Sequence, residues 1–216
     1  MSRLSKTGWG LFLLLAGQVA RGQESMSAAK TPAAEQRSIA EVSTNSLFQF
    51  GRSELTFSSG VMFSPVMATK HRPTINYTMT EIQYGYMLSD IHGSGFFRGN
   101  FELAGEALVG YIFAGEGSWI AGGTLWGRYN FVPRESRFLP FFQAGAGMVT
   151  TDISHKFDGH PFNFNLELGA GTRYLIDERW TLNLEFRYQH ISNAGTGKHN
   201  VGINAFGPIL GISYLF

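Results

Sequence analysis

His190 and Ser192 stand two residues apart near the end of an alternating run in this chain of 216 residues. On a β-strand, residues i and i+2 share a face. The pair therefore points the same way as Trp180, Leu182, Leu184, Phe186 and Tyr188, while Thr181, Asn183, Glu185, Arg187 and Gln189 occupy the other face. A histidine beside a serine supplies a general base and a nucleophile, the minimum for attacking an ester carbonyl. Such chemistry also needs donors for a developing oxyanion and a third group to orient the imidazole. The turn beginning at Asn193, Ala194 and Gly195 could turn backbone N–H groups toward that oxygen. Read on these residues alone, a polar pair at a strand end beside lipid headgroups is the commoner explanation.

Two other arrangements carry less. Gly195-Thr196-Gly197-Lys198 looks like a phosphate-binding loop, but it lacks the first glycine and precedes a strand rather than a helix. His155, His160 and His199 lack ligand-like carboxylate spacing and are read as loop histidines, so no metal and no cofactor is expected. Trp119, Trp126 and Trp180 suit interfacial girdles or packing. There is no cysteine, hence neither a disulfide framework nor a thiolate site.

The elements that must position the pair are strands. Alternation predicts eight, near 52–64, 75–88, 97–113, 118–132, 138–150, 161–176, 179–192 and 200–216. Phe162, Phe164, Leu166, Leu168, Tyr174 and Ile176 oppose Asn163, Asn165, Glu167 and Arg173. Likewise Phe101 and Leu103 oppose Asn100, Glu102 and Glu106, and Ile82, Tyr84, Tyr86 and Leu88 oppose Glu81 and Gln83. The polar faces carry both signs of charge, as a narrow lumen filled with salt-bridged side chains would. Alternation cannot by itself tell inside from outside, and a soluble lipocalin-like barrel would invert it. The chain ends on Phe216, behind Tyr214, Ile212 and Leu210 on one face, an ending similar to the C-terminal signal of bacterial outer-membrane barrels. The expectation is an all-β, eight-stranded antiparallel transmembrane β-barrel of the outer-membrane type, over residues 46–216.

The N-terminus reads as a signal peptide over residues 1–22: Arg3 and Lys6, an apolar run from Trp9 to Ala20, then small residues. The run is short for a transmembrane anchor. Its removal takes Arg3, Lys6 and Arg21 and no acid, so 17 basic residues become 14 against 16 acidic and the formal charge moves from +1 to −2. That balance argues against a nucleic-acid partner. Residues 23–45 form a polar, alanine-rich segment read as a periplasmic tail or short helix. With both termini in the periplasm, turns there should be short and the outer loops longer. Twelve steps of ~3.3 Å from Trp180 to Ser192, tilted near 40°, then raise Ser192 ~30 Å, to the outer edge of the hydrocarbon layer.

The stretch Phe186-Arg187-Tyr188-Gln189-His190-Ile191-Ser192-Asn193-Ala194-Gly195, followed by Asn200-Val201-Gly202-Ile203-Asn204, resembles the lipid A 3-O-deacylases of the PagL (acyloxyacyl hydrolase) family. The resemblance implies a serine esterase of the Gram-negative outer membrane acting on lipid A (lipopolysaccharide) in the outer leaflet. It implies His190 as base, Ser192 as nucleophile and the turn from Asn193 to Gly195 as oxyanion stabiliser. Leu184, Phe186 and Tyr188 would form a wall for acyl chains. Outer-membrane lipid is the expected surrounding, and a homodimer is left open. One departure stands out, because the family's third triad position carries a glutamate and the matching residue here is Asn204. Either Asn204 orients the imidazole more weakly, or activity is reduced or lost. A non-catalytic small barrel, structural or adhesive, is the alternative.

Overall fold

In the computed structural model, described for residues 44–64, 74–153 and 161–216, eight strands follow one another around a closed barrel. They are β1 (Ser53–Met62), β2 (Asn76–Met87), β3 (Gly99–Ala114), β4 (Trp119–Phe131), β5 (Phe138–Thr151), β6 (Phe162–Leu175), β7 (Trp180–Ser192) and β8 (Ile203–Leu215). Every neighbour pair is antiparallel, and β1 closes on β8 with Phe57 opposite Ile212. Mutual backbone bonds of 2.9 Å between Ser53 and Phe216 finish that seam. Closure leaves no strand edge, which is what a sheet in hydrocarbon requires. The signal peptide and the 23–45 segment, up to residue 43, lie outside the described residues.

The faces divide as alternation predicts. Leu182, Leu184 and Phe186 point outward and are exposed, whereas Thr181, Glu185 and Arg187 are buried inside. The same holds for Ile82 and Tyr84 against Glu81 and Gln83. The outer wall is therefore apolar and the inside polar, the inverse of a soluble barrel.

Inside, the charges are layered. Arg187 sends Nη1 to Glu81 at 2.6 Å and to Glu106 at 3.1 Å, and Nε to Glu185 at 2.8 Å. Its guanidinium lies 4.6 Å over the ring of Trp126, whose Nε1 donates to Glu106 at 2.9 Å. Arg128 and Arg173 both grip Glu54, at 3.0 and 2.8 Å, and both reach Glu102. Gly169 makes this packing possible: a Cβ there would lie 2.1 Å from Glu185 Oε1. A gap of about 10 Å³ among Glu81, Arg128, Arg173 and Glu185 has room for roughly one water.

The lumen departs from the expectation at both ends, where it is apolar. Met62, Tyr77, Met79, Ile120, Val149, Ile191 and Ile209 pack at the end away from the termini. Leu47, Phe48, Met87, Val132, Leu139, Leu175 and Leu215 close the other. Phe48 directly follows a helical turn at 44–47 and is buried in the barrel, where Asn100 donates to its carbonyl at 2.9 Å and Arg98 holds Asn45. The ionic layer is thus sealed between two greasy plugs.

Connection lengths also differ from expectation. On the side of the termini, the β2–β3 link runs over residues 88–98 and includes a 3-10 turn, Gly95–Phe97. The β3–β4 loop on the opposite side is only residues 115–118. Ring contacts account for the longer link, since Phe96 packs against Phe131 at 5.1 Å and the Tyr129 hydroxyl donates to the Phe97 carbonyl at 2.6 Å.

Replacing Arg187 with Met should cost about 3–5 kcal/mol, because it strands four carboxylates without a counter-charge. Urea unfolding in phospholipid vesicles measures the loss. Arg187→Lys should recover only part of it, as one ammonium cannot span the same acceptors.

Candidate active site

β7 begins from a tight turn. Asp177 accepts hydrogen bonds from the N–H groups of Arg179 at 2.8 Å and Trp180 at 2.9 Å, and Ile176 N donates to the Trp180 carbonyl. These N–H donors hold the Asp177 carboxyl below the usual aspartate range. Their support is present above that usual range and is lost as pH falls through the lowered value.

From this start the pleat runs without a bulge, so Trp180, Leu182, Leu184, Phe186, Tyr188, His190 and Ser192 alternate outward to the far end of the strand. His190 sits opposite Leu166 on β6 and Asn204 on β8, and Ser192 sits opposite Phe164. All three polar residues are half-buried at the top of the apolar wall.

Their side chains form a connected line. His190 Nε2 lies 3.1 Å from Ser192 Oγ, and His190 Nδ1 lies 2.6 Å from Asn204 Oδ1. A carbonyl oxygen can only accept, so it fixes the proton on Nδ1 and leaves the Nε2 lone pair facing the serine hydroxyl. That is the arrangement a general base needs. Asn204 also accepts from the Tyr188 hydroxyl at 2.7 Å. Tyr188 thus does more than line a wall, a role that parity alone could not reveal.

The turn after Ser192 is built around Asn193. Its Oδ1 accepts from Gly195 N at 2.9 Å, its Nδ2 donates to the His199 carbonyl at 2.6 Å, and its own N donates to Asn200 Oδ1 at 3.2 Å. Two of the three amides predicted to face an oxyanion are consequently engaged within the loop. The Ala194 N–H makes no hydrogen bond among the described residues. Ala194 holds φ at 52°, a left-handed conformation costing an alanine roughly 1–2 kcal/mol. Strain of this kind, two residues past Ser192, fits a turn shaped for donor direction. Gly202, with φ at 67°, brings the returning loop over the pair: a Cβ there would sit 3.6 Å from His190 Cε1 and 3.8 Å from Ser192 Cβ.

The remaining predicted residues sort cleanly. Leu184 and Phe186 are exposed on the wall below the pair, continuous with Leu166, Phe206 and Leu210 of the flanking strands. Glu167 and Glu185 are buried in the lumen, both bound to Arg187, and neither serves the imidazole. His155 and His160 lie outside the described residues, while His199 is exposed. Trp126 is interior packing, whereas Trp119 and Trp180 are exposed. A groove of about 720 Å³ lies on the outer wall of β1–β5, lined by Leu55, Ile82, Tyr84, Leu125 and Met148 among others, and contains none of the three polar residues.

Comparison with known proteins bears on this geometry. The model of the family described as lipid A 3-O-deacylase (PagL) matches residues 76–213, a span that includes His190, Ser192 and Asn204. Among solved structures, the outer membrane enzyme PagL is 17% identical over 73% of this chain and 97% of that chain, with a TM-score of 0.52. Neisserial surface protein A (NspA) is 14% identical over 77% of this chain and 97% of that chain, with a TM-score of 0.54. No curated protein matches the chain. The fold is that of outer-membrane barrels of Gram-negative bacteria.

Asn193→Ala should open the loop without unfolding the barrel, since it removes the side-chain bonds to Gly195 and His199, each worth about 1 kcal/mol. Limited trypsin digestion of the refolded protein should then cut after Lys198 several times faster, with mass spectrometry identifying the 199–216 fragment.

Proposed function

The chain belongs to the lipid A 3-O-deacylase (PagL) family, and from that premise we propose that it is an outer-membrane serine esterase removing the acyl chain ester-linked at the 3-position of lipid A. The observation that carries this reading is the line from Ser192 Oγ through His190 to Asn204 Oδ1 on the lipid-facing wall. Both termini lie in the periplasm, so the pair stands at the level of the outer leaflet, where lipopolysaccharide presents its ester bonds.

In this mechanism Ser192 Oγ attacks the ester carbonyl carbon while His190 Nε2 takes the hydroxyl proton. The oxyanion forms against the Ala194 N–H. Collapse of the tetrahedral intermediate breaks the bond to the sugar's 3-oxygen, which leaves with the proton from His190. Water, deprotonated by the same imidazole, then hydrolyses the acyl-serine and restores the enzyme. The acyl chains lie along Leu184, Phe186 and the ring of Tyr188, already out of water, so no enclosed pocket is required. Neither metal nor cofactor enters the reaction.

Asn204 orients the imidazole but brings no charge to stabilise the imidazolium. A hydrogen bond to a charged group contributes about 1 kcal/mol more than a neutral one. Asn204→Glu should therefore raise turnover by about fivefold.

The likeness to NspA, together with the missing acid, keeps a second reading in view: a folded barrel of this family without activity. Mass spectrometry of lipid A from cells expressing the chain separates the two. The esterase reading expects loss of one 3-O-linked hydroxyacyl chain, abolished by Ser192→Ala. Unchanged lipid A in cells holding the folded, heat-modifiable barrel overturns it, as does equal loss with the Ser192→Ala variant.

A further inference from the structure

An asparagine in place of a carboxylate creates a difficulty that its missing charge does not capture. A carboxylate offers oxygen whichever way it turns. An amide can present either its carbonyl oxygen or its NH₂ group to His190 Nδ1, and the two choices force opposite tautomers. With oxygen toward the ring, Nδ1 carries the proton and Nε2 faces Ser192 as a base. With NH₂ toward the ring, Nδ1 must accept, the proton moves to Nε2, and the serine faces a donor. The second state has no base.

Asn204 Oδ1 is the acceptor of a second bond, from the Tyr188 hydroxyl at 2.7 Å. A phenolic oxygen shares its lone pair with the ring, which makes the hydroxyl a better donor than acceptor. It therefore favours the amide rotamer that points oxygen at it. The oxygen has two lone pairs and can take both donors, one from Tyr188 and one from His190 Nδ1 at 2.6 Å. Turning the amide over would offer Tyr188 a donor in place of an acceptor, so the hydroxyl would lose the partner it donates to. Strand geometry makes the contact direct: Asn204 stands opposite His190 across the β7–β8 ladder, and Tyr188 is the next outward residue of β7.

Resting on the reading of His190 and Ser192 as the reacting pair, we infer that Tyr188 is a positioning residue that sets which end of the Asn204 amide faces His190, and thereby which imidazole nitrogen carries the proton. Tyr188 and Asn204 together act as the orienting unit that a single carboxylate would otherwise be.

The test uses the full chain refolded in detergent micelles with ¹⁵N-labelled histidine, the His190 signals being identified by their loss in His190→Gln. The wild type should show neutral His190 as the Nδ1–H tautomer, and Tyr188→Phe, which keeps the ring and the wall, should show a mixture with the Nε2–H form. In parallel, deacylation of lipid A in mixed micelles should fall about tenfold in kcat with KM little changed. The loss should be much smaller when Tyr188→Phe is made in the Asn204→Glu background, where no amide can flip. An unchanged tautomer in Tyr188→Phe overturns the inference, as does an equal fall of kcat in both backgrounds. A wild-type chain that leaves lipid A intact, yet shows the tautomer shift on losing the hydroxyl, overturns the esterase reading and sustains the positioning role.

Discussion

Arg187 is the interaction on which the wall depends. Its guanidinium is fully buried between Glu81, Glu106, Glu167 and Glu185 and stacks on Trp126, so it ties β7 to the strands across the lumen. A strand has a period of two, and a one-residue slip would turn this cation into hydrocarbon while bringing Phe186 and Tyr188 inside. The register is therefore strongly specified. Fixing Arg187 inward fixes 186, 188, 190 and 192 outward. The polar lumen and the outward-facing pair are two faces of one constraint.

Why this ionic layer is tolerable follows from its surroundings. Three arginines thread six buried glutamates among the described residues, and most of their hydrogen-bonding capacity is met by one another or by Gln83, Gln143, Asn130 and Thr124. Removing one partner from such a network costs more than forming it gains. The apolar plugs above and below then keep competing water out. The lower plug borrows Leu47 and Phe48 from the segment before β1, so the barrel's interior is completed by chain outside its strands.

Strand number, face assignment and the His190–Ser192 pairing were legible in the sequence because alternation is a local signal that barrel closure does not alter. The plugs were not. Ile191 and Met79 obey the same parity as Arg187 and Glu81, but the chemistry of the inner face changes with height, which one strand read alone does not disclose. The turn was half legible: Asn193-Ala194-Gly195 announces a bend, yet which N–H groups the bend consumes depends on Asn200 and on the Asn193 side chain. Tyr188 was read as wall from its position. Its hydroxyl's partner lies on another strand, and only cross-strand register puts Asn204 within reach.

The pair stands on a convex outer wall among exposed Phe164, Leu166 and Phe206. For the proposed esterase, a substrate would have to approach by lateral diffusion within the leaflet and leave by the same two-dimensional route. The quantity governing saturation of that proposed activity would be a mole fraction among neighbouring lipids, and inert amphiphiles would slow it by surface dilution at unchanged bulk concentration. Under that proposal, selectivity would fall to whichever headgroup can set its ester at the height of Ser192, and the bilayer itself would act as part of the binding site.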